Sequence, residues 1–341
     1  MTALFKVAVV GAGVVGLSTA LCIQENIPDV TVTVIADKFI EDTLSYGAGG
    51  FIRPDENIGP SYSTTRRWYR ESFNYFRKLA DDPLSKDSGV KWVSGCCLSS
   101  IGLECLKNGI MEELFQDLRT LSDEELKQYP SKYKFGMSYT SILADPRKYL
   151  KWLTHRVLQN GGTFVKRTIK SFEEIAGQYS LIINCTGLGA KMLIKDVLLT
   201  PVRGQTIKVH APWVTQFCYA DSCYVLPGTE YVTLGGIKQL GDWNPNVSEY
   251  DRRYIWEICT SVVPSLKNGK VVHDWVGLRP FRQPVRVEAE VMKFGSTVCK
   301  VGHNYGHGGH GVNVSWATAR DAAAIAQSLL KSAPMCETSK L

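Results

Sequence analysis

Two glycine-rich stretches carry the residue types and spacings that could do chemistry. The first is "KVAVVGAGVVGLSTALCIQEN", where Gly11, Gly13 and Gly16 form G-x-G-x-x-G. Lys6 to Val10 before it is a short β-branched apolar run, as expected of a parallel strand buried on both faces. Leu17, Ala20 and Leu21 after it recur with helical spacing. In that setting Gly11 permits a tight turn, Gly13 lets the backbone approach a pyrophosphate, and Gly16 lets the helix lie close to the strand. The helix N-terminus then offers N–H groups to phosphate oxygens. A second strand, "TVTVIAD", ends at Asp37, 21 positions after Gly16. An acid at that spacing binds ribose hydroxyls and repels a 2′-phosphate. The pattern reads as a dinucleotide site, does not by itself separate FAD from NAD, and leaves a purely structural glycine turn open.

The second stretch is "VGHNYGHGGHGVNVSWATARDAAAIAQSLLKS", with Gly306, Gly308, Gly309 and Gly311 crowded ahead of a helical pattern marked by Trp316, Ala324, Ile325 and Leu329. Asn313 or Ser315 is expected to cap that helix. Such a loop brings backbone N–H groups and a helix dipole to a place where negative charge collects. His303, His307 and His310 invite a metal reading, but mobile glycines make a poor cage and no matching carboxylate or C-x-x-C pair is nearby, so no metal is assigned. No Ser/His/Asp or Cys/His constellation stands out.

The elements that must position these loops are drawn from a globular chain. It has 341 residues, 44% hydrophobic and 21% charged, enough for one large or two modest domains. A net charge of +6 without a Lys/Arg run gives no nucleic-acid footprint. No segment approaches transmembrane length, so no membrane partner is expected, and the N-terminal apolar run reads as a strand rather than a signal peptide. The ten cysteines are irregularly spaced, with Cys96 and Cys97 adjacent, and read as reduced thiols. "DDPLSKDSG" and "DWNPNVSEYD" read as loops.

Taken together, "VVGAGVVGLSTALCI", "ADKF", "YLKWLTHRV", "IINCTGLGA", "PVRGQ", "APWV", "YVLPGTEYVTLGG", "QLGDWN", "VGLRPFR" and "HNYGHGGHG" resemble the D-amino-acid oxidase and D-aspartate oxidase family over nearly the whole chain. The resemblance implies an α/β fold: a Rossmann-like FAD-binding domain with a second α+β substrate domain built on a mixed sheet. It places the FAD-binding domain at 1–50, 145–195 and 265–335, the substrate domain at 51–144 and 196–264, and a targeting tail at 336–341. It implies FAD as cofactor, a small-molecule D-amino acid and O2 as reactants, and hydride transfer directly to the flavin with no catalytic side chain. The products would be a 2-oxo acid, ammonia and hydrogen peroxide. A homodimer stays open.

By the same resemblance, Arg279 forks the substrate α-carboxylate, Tyr224 donates to it, and the Gly309 carbonyl accepts from the amine. FAD contacts fall on Gly11, Gly13, Gly16, Asp37, Lys38, Thr43, Ser45, Gly49, Gly50, Phe51, Ile169, Thr186 and Gly187. They continue through Gly308, Gly309, His310, Gly311, Val312 and Asn313. Lys238 falls where aspartate oxidases have an arginine, and Arg53 where neutral-preferring members have glutamine, so an acidic side chain is expected on the substrate. Tyr219 stands where the aspartate branch has a second arginine, Asp55 where it has a histidine, and the neutral-substrate reading remains the alternative. An NAD-dependent dehydrogenase would explain the first glycine loop and leave the second unexplained; a non-catalytic nucleotide-binding protein would hold a flavin that no D-amino acid reduces. The chain ends Ser339-Lys340-Leu341, a peroxisomal address read by an import receptor at a free C-terminus. An oxidase that makes peroxide is expected in the peroxisome matrix.

Overall fold

The structure is a computed structural model and describes residues 5–331; the Ser339-Lys340-Leu341 signal and the 336–341 tail lie outside the described residues. Among those described, fourteen strands join in one sheet. Its parallel part is built from β1 (Phe5–Val10), β2 (Val30–Ala36), β6 (Thr163–Lys166), β7 (Leu181–Asn184) and β14 (Thr297–His307). These run in the order β14-β7-β1-β2-β6. The apolar, β-branched composition explains the arrangement: Val7, Ala8 and Val9 of β1 and Leu181, Ile182 and Ile183 of β7 are fully buried, so neither face of these strands meets water. The helix Val14–Asn26 covers one face and packs against the C-terminal helix Gly311–Lys331. Small residues Ala319, Ala322, Ala323 and Ala326 let the backbones come close.

The mixed part contains β3 (Val90–Ser99), β4 (Arg119–Thr120), β5 (Phe135–Ala144), β8 (Thr200–His210), β9 (Phe217–Ala220), β10 (Cys223–Pro227), β11 (Val232–Gly235) and β12 (Gln239–Leu240). The order is β4-β5-β3-β9-β10-β11-β8, with β12 alongside β8. The two parts meet at β13 (Lys270–Phe294), a strand of 25 residues. Its first half pairs antiparallel with β8 up to Phe281, and its second half pairs antiparallel with β14 from Arg286. Arg279 lies opposite Val202, two residues before this hand-over. One long strand therefore sets Arg279 at the seam between the nucleotide-type sheet and the mixed sheet. The helix Tyr62–Asp81 is tied to the C-terminal helix by Asp321, which accepts from Arg67 Nη1 (2.9 Å), Arg67 Nη2 (2.7 Å) and Trp68 Nε1 (2.7 Å). Among the described residues no helix is long and apolar enough to cross a membrane.

Two local expectations change. Residues 83–88 of the "DDPLSKDSG" stretch wind into a 3-10 turn whose first N–H groups are capped by Asp82. Asn313 and Ser315 do not cap the C-terminal helix: it starts at Gly311, both lie inside it, and the Ser315 hydroxyl donates back to the Val312 carbonyl. The glycines let the preceding turn, Gly308–His310, run straight into the helix without a capping side chain.

Lys208 on β8 is buried opposite His273 of β13. Its Nζ donates to the Gly47 carbonyl (3.0 Å) and to Thr233 Oγ1 (2.9 Å). Burial, and then the Arg147 guanidinium, push its ammonium down to about 7, with Asp145 opposing. Between about 7 and the ordinary lysine value of 10.5 the unfolded chain binds a proton that the folded chain does not, so this group makes stability rise with pH across that window. The slope is at most about 1.4 kcal/mol per pH unit. Lys208→Met should flatten the rise in urea-unfolding free energy that the wild type shows across that window; an unchanged slope would mean Lys208 titrates as an ordinary lysine.

Candidate active site

The first glycine loop is held by its own backbone. The Gly11 N–H donates to the Ile35 carbonyl (2.8 Å), fixing the end of β1 against β2. Gly11 has φ +110°, and a Cβ there would lie 2.3 Å from the Cys185 carbonyl oxygen. A Cβ at Gly16 would lie 1.9 Å from the Gly11 carbonyl oxygen, so the helix presses directly on the loop. Gly13 differs: its only near neighbour is Ser45 Oγ at 3.1 Å, which leaves that side of the loop open. Ser45 Oγ accepts from the Val14 N–H (3.0 Å), and Thr43 Oγ1 donates to the Ile40 carbonyl (2.7 Å), so the 43–45 segment lies over the helix N-terminus.

Asp37 follows β2, is exposed with Lys38, and makes no side-chain hydrogen bond or ion pair among the described residues. On the other side, Thr186 donates through both its N–H (3.2 Å) and its hydroxyl (2.7 Å) to Asn184 Oδ1, which turns the chain beside Gly11 into Gly187. Ile169 spends its side chain in the core with Val10, Ile35 and Phe172, so only its backbone is available to a ligand. An open glycine loop, an uncommitted carboxylate after the second strand and a helix N-terminus fit the adenosine diphosphate half of FAD.

The second glycine loop lies beside the first: a Cβ at Gly311 would come 4.0 Å from Val14 Cγ1. Gly308, Gly309 and His310 form its turn, and Gly311, Val312 and Asn313 open the helix. Asn313 does work that the sequence did not reveal. Its Nδ2 donates to the Phe51 carbonyl (3.0 Å) and its Oδ1 accepts from the Arg53 N–H (3.0 Å). The segment that follows Gly49 and Gly50 is thereby pinned to the C-terminal helix. The Phe51 ring packs against Phe217 (centroids 4.5 Å apart) and Tyr219 (5.4 Å).

Beyond Phe51 the five residues expected to meet a substrate converge. Arg279 lies over Gly204, where a Cβ would come within 2.2 Å of both guanidinium Nη atoms, and its Nη1 donates to the Ile237 carbonyl (3.2 Å). Gly309 sits beside the Arg279 stem. Tyr224 lies across Gly235, where a Cβ would fall 2.4 Å from its hydroxyl oxygen. Burial raises the Tyr224 phenol above its ordinary value, opposed by the Arg279 guanidinium that faces it. The Arg53 guanidinium stands 5.3 Å from the centre of the Tyr219 ring, and its Nε is buried without a partner. Tyr219, which the sequence presents as a missing cation, is instead the aromatic floor under another cation.

Lys238 is exposed. Protein nonetheless surrounds it closely enough that desolvation, then Arg279 and Arg53, hold its ammonium below the ordinary lysine value, with Asp55 opposing. His310 completes the wall. Its Nδ1 is 2.8 Å from the Tyr69 hydroxyl and its Nε2 3.8 Å from Asp55 Oδ2. Burial first, and then Lys238, Arg53 and Arg279 against the attraction of Asp55, push His310 down to about 4, so it is neutral at physiological pH.

Among the described residues Arg53, Lys238 and Arg279 make no ion pair with any carboxylate, although each feels the charge of its neighbours. An unpaired, partly desolvated cluster of three cations is costly, and a ligand that brings two carboxylates relieves it. The histidines read as metal candidates are engaged otherwise: His303 with Asn184 and Glu290, His307 with Thr318.

Residues 6–325 match the model of the family described as FAD dependent oxidoreductase. The chain is 38% identical over 323 residues to D-aspartate oxidase of Homo sapiens, covering 94% of each chain. It is 31% identical over 338 residues to D-amino acid oxidase of Dugesia ryukyuensis, covering 96% of this chain and 99% of that one. Among solved structures it is similar to L-proline dehydrogenase from P. horikoshii, with a TM-score of 0.75 at 16% identity over 95% of this chain and 93% of that one. It is similar also to glycine oxidase from Bacillus cereus, with a TM-score of 0.73 at 17% identity over 95% of each chain. Those two likenesses carry the fold alone.

Proposed function

The chain belongs to the FAD-dependent oxidoreductase family, and from that premise we propose that it oxidatively deaminates D-amino acids, with acidic side chains preferred. The relatives named D-aspartate oxidase and D-amino acid oxidase support this reading, and one observation carries the acidic preference: three cations around one cleft with no carboxylate partner. When bound, FAD would supply the two-electron chemistry, as a hydride acceptor that oxygen reoxidises to give hydrogen peroxide. Gly11, Gly13, Gly16, Asp37 and the 43–51 segment would hold it.

The protein's own part is binding and orientation. Arg279 takes both oxygens of the α-carboxylate, a task its planar fork suits. The Tyr224 hydroxyl, kept protonated by burial, donates to the same group. The Gly309 carbonyl accepts from the amine, which with Arg279 would fix the orientation of the α-carbon. Arg53 and Lys238 take the distal carboxylate. No side chain of the site is a plausible base for the α-proton: His310 is bonded to Tyr69 and His307 to Thr318. This suits direct hydride transfer from a neutral amine.

A reading as an oxidase of neutral D-amino acids has one observation in its favour, the exposure of Lys238. The test is product analysis. Purified flavoprotein given D-aspartate in air should release oxaloacetate, ammonia and hydrogen peroxide in equal amounts, with L-aspartate inert. Product formation without oxygen uptake would remove the oxidase assignment. We also propose import into the peroxisome through Ser339, Lys340 and Leu341, by a receptor that reads a free C-terminus. Deleting these three residues should move the protein to the cytosol with its activity intact; a truncated protein that still colocalises with catalase would overturn this.

A further inference from the structure

Two of the buried thiols are placed to bond to each other. In the parallel pair β3–β9, Cys96 is the direct register partner of Cys218. Neighbouring strands lie about 4.8 Å apart, inside the roughly 4.4–6.8 Å range of Cα separations that a disulfide spans. Register partners point to the same face of a sheet, and here the two Sγ atoms are 3.7 Å apart. That contact needs only side-chain rotation to become a bond. Both residues sit in the apolar core that β8, β10 and β11 form with the helix Glu249–Val262, at 6% and 5% exposure. This burial favours a small oxidant such as hydrogen peroxide over a bulky thiol reagent.

We propose that Cys96 and Cys218 are a peroxide-driven, reversible disulfide site. The Tyr129 hydroxyl stands 3.2 Å from Cys96 Sγ and can donate to a thiolate there. The Cys218 thiol, and then that hydroxyl, hold the Cys96 thiol below its ordinary value against the effect of burial, while Cys218 is pushed well above. The hydroxyl that can stabilise a thiolate stands beside Cys96, which makes Cys96 the attacking sulfur and Cys218 the resolving one. Cys96 thiolate attacks one oxygen of hydrogen peroxide, the O–O bond breaks, and hydroxide leaves and is protonated to water, giving Cys96 sulfenic acid. The Cys218 sulfur then attacks the Cys96 sulfur, the S–O bond breaks, and the departing hydroxide takes up the Cys218 proton as a second water. Two thiols lose two electrons and two hydrogens, and one peroxide becomes two waters.

Among the described residues the other cysteines lack one element or another. Cys223 and Cys259 form a second pair of neighbouring buried thiols, but Cys259 is pushed well above its ordinary value and its sulfur donates to the Tyr224 carbonyl (3.6 Å). Cys22, Cys185 and Cys299 are raised by burial with no second thiol in hydrogen-bonding contact, and Cys105 is exposed. The position matters for the site. Cys97 and Tyr219, the next residues along the same two strands, face the opposite way and lie around Arg53. The crosslink would thus form directly behind the floor of the cation cluster.

The proposal rests on the oxidase reading only for the source of the oxidant, and the test separates the two. The full-length holoprotein is treated in one arm with added hydrogen peroxide and in another with D-aspartate in air, with and without catalase. It is then unfolded in acidic denaturant, alkylated, digested without reduction and mapped by mass. Added peroxide should remove two alkylatable thiols and join the Cys96 and Cys218 peptides at two hydrogen masses below their sum. Dithiothreitol should reverse it. Cys218→Ser should lose the crosslink and leave Cys96 as a dimedone-trappable sulfenic acid. If added peroxide oxidises Cys105 while Cys96 and Cys218 remain alkylatable, or if both appear only as sulfinic acids, the proposal is overturned. A crosslink with added peroxide that does not form during D-aspartate turnover leaves the disulfide site standing and counts against the oxidase reading.

Discussion

Arg279→Ala is expected to lower kcat/KM by roughly two to four decades, because leaving the substrate carboxylate without its charge partner costs about 3–5 kcal/mol. Arg279 is held in place before any substrate arrives. It rests on Gly204, donates one hydrogen bond to the Ile237 carbonyl, and faces the Tyr224 hydroxyl. The cost of ordering a long side chain is thus met by the fold, and its remaining donors are available to both oxygens of an α-carboxylate. Arg279→Lys should recover only part of the loss, since an ammonium is a point charge and cannot reproduce the fork. The flavin content of the alanine variant should equal that of the wild type, because the nucleotide loop is built from Gly11, Ser45 and Thr186, none of which bonds to Arg279. Near-normal kinetics in a fully flavinated variant would take Arg279 out of the site.

The second large effect concerns side-chain choice. Arg53→Gln and Lys238→Ala should each shrink the ratio of kcat/KM for D-aspartate over D-alanine by roughly one to two decades, the value of a charge-assisted hydrogen bond of about 1.5–3 kcal/mol. Arg53 should have the larger share. Its backbone is pinned by Asn313, its guanidinium rests on Tyr219, and its buried Nε has no partner in the protein. Lys238 is exposed on a flexible stem, so its grip is looser. It also gives the preference a pH dependence. Desolvation and the neighbouring Arg279 and Arg53 lower its ammonium, so the charge is lost before the ordinary lysine value of 10.5 is reached. The preference for D-aspartate should therefore decline on the alkaline side, and the decline should vanish in Lys238→Ala. If that variant keeps the wild-type ratio, Lys238 is a rim residue.

The sequence made some of this legible and concealed the rest for physical reasons. The strand, glycine loop and helix from Lys6 to Asn26 could be read directly, because a buried parallel strand and a φ of +110° at Gly11 both leave local signatures. The cation cluster was legible only by resemblance, since Arg53, Lys238 and Arg279 come from three distant segments and share no spacing. The bridge that Asn313 makes could not be read. The residue's position near a helix start suggested a cap, while its partners, Phe51 and Arg53, lie 262 and 260 residues away. Tyr219 was misleading in another way: a substitution that removes a charge on paper supplies the ring on which Arg53 rests. The continuous strand Lys270–Phe294 was equally hidden, because its two halves pair with different strands that only the assembled sheet defines.

The central claim is that this chain uses its flavin to oxidise acidic D-amino acids. The most direct test is to mix the purified yellow protein anaerobically with D-aspartate, D-alanine and L-aspartate in turn and follow the loss of flavin absorbance. D-Aspartate should bleach the flavin rapidly and completely, D-alanine more slowly, and L-aspartate not at all. Bleaching faster with D-alanine than with D-aspartate, or with neither, would contradict it.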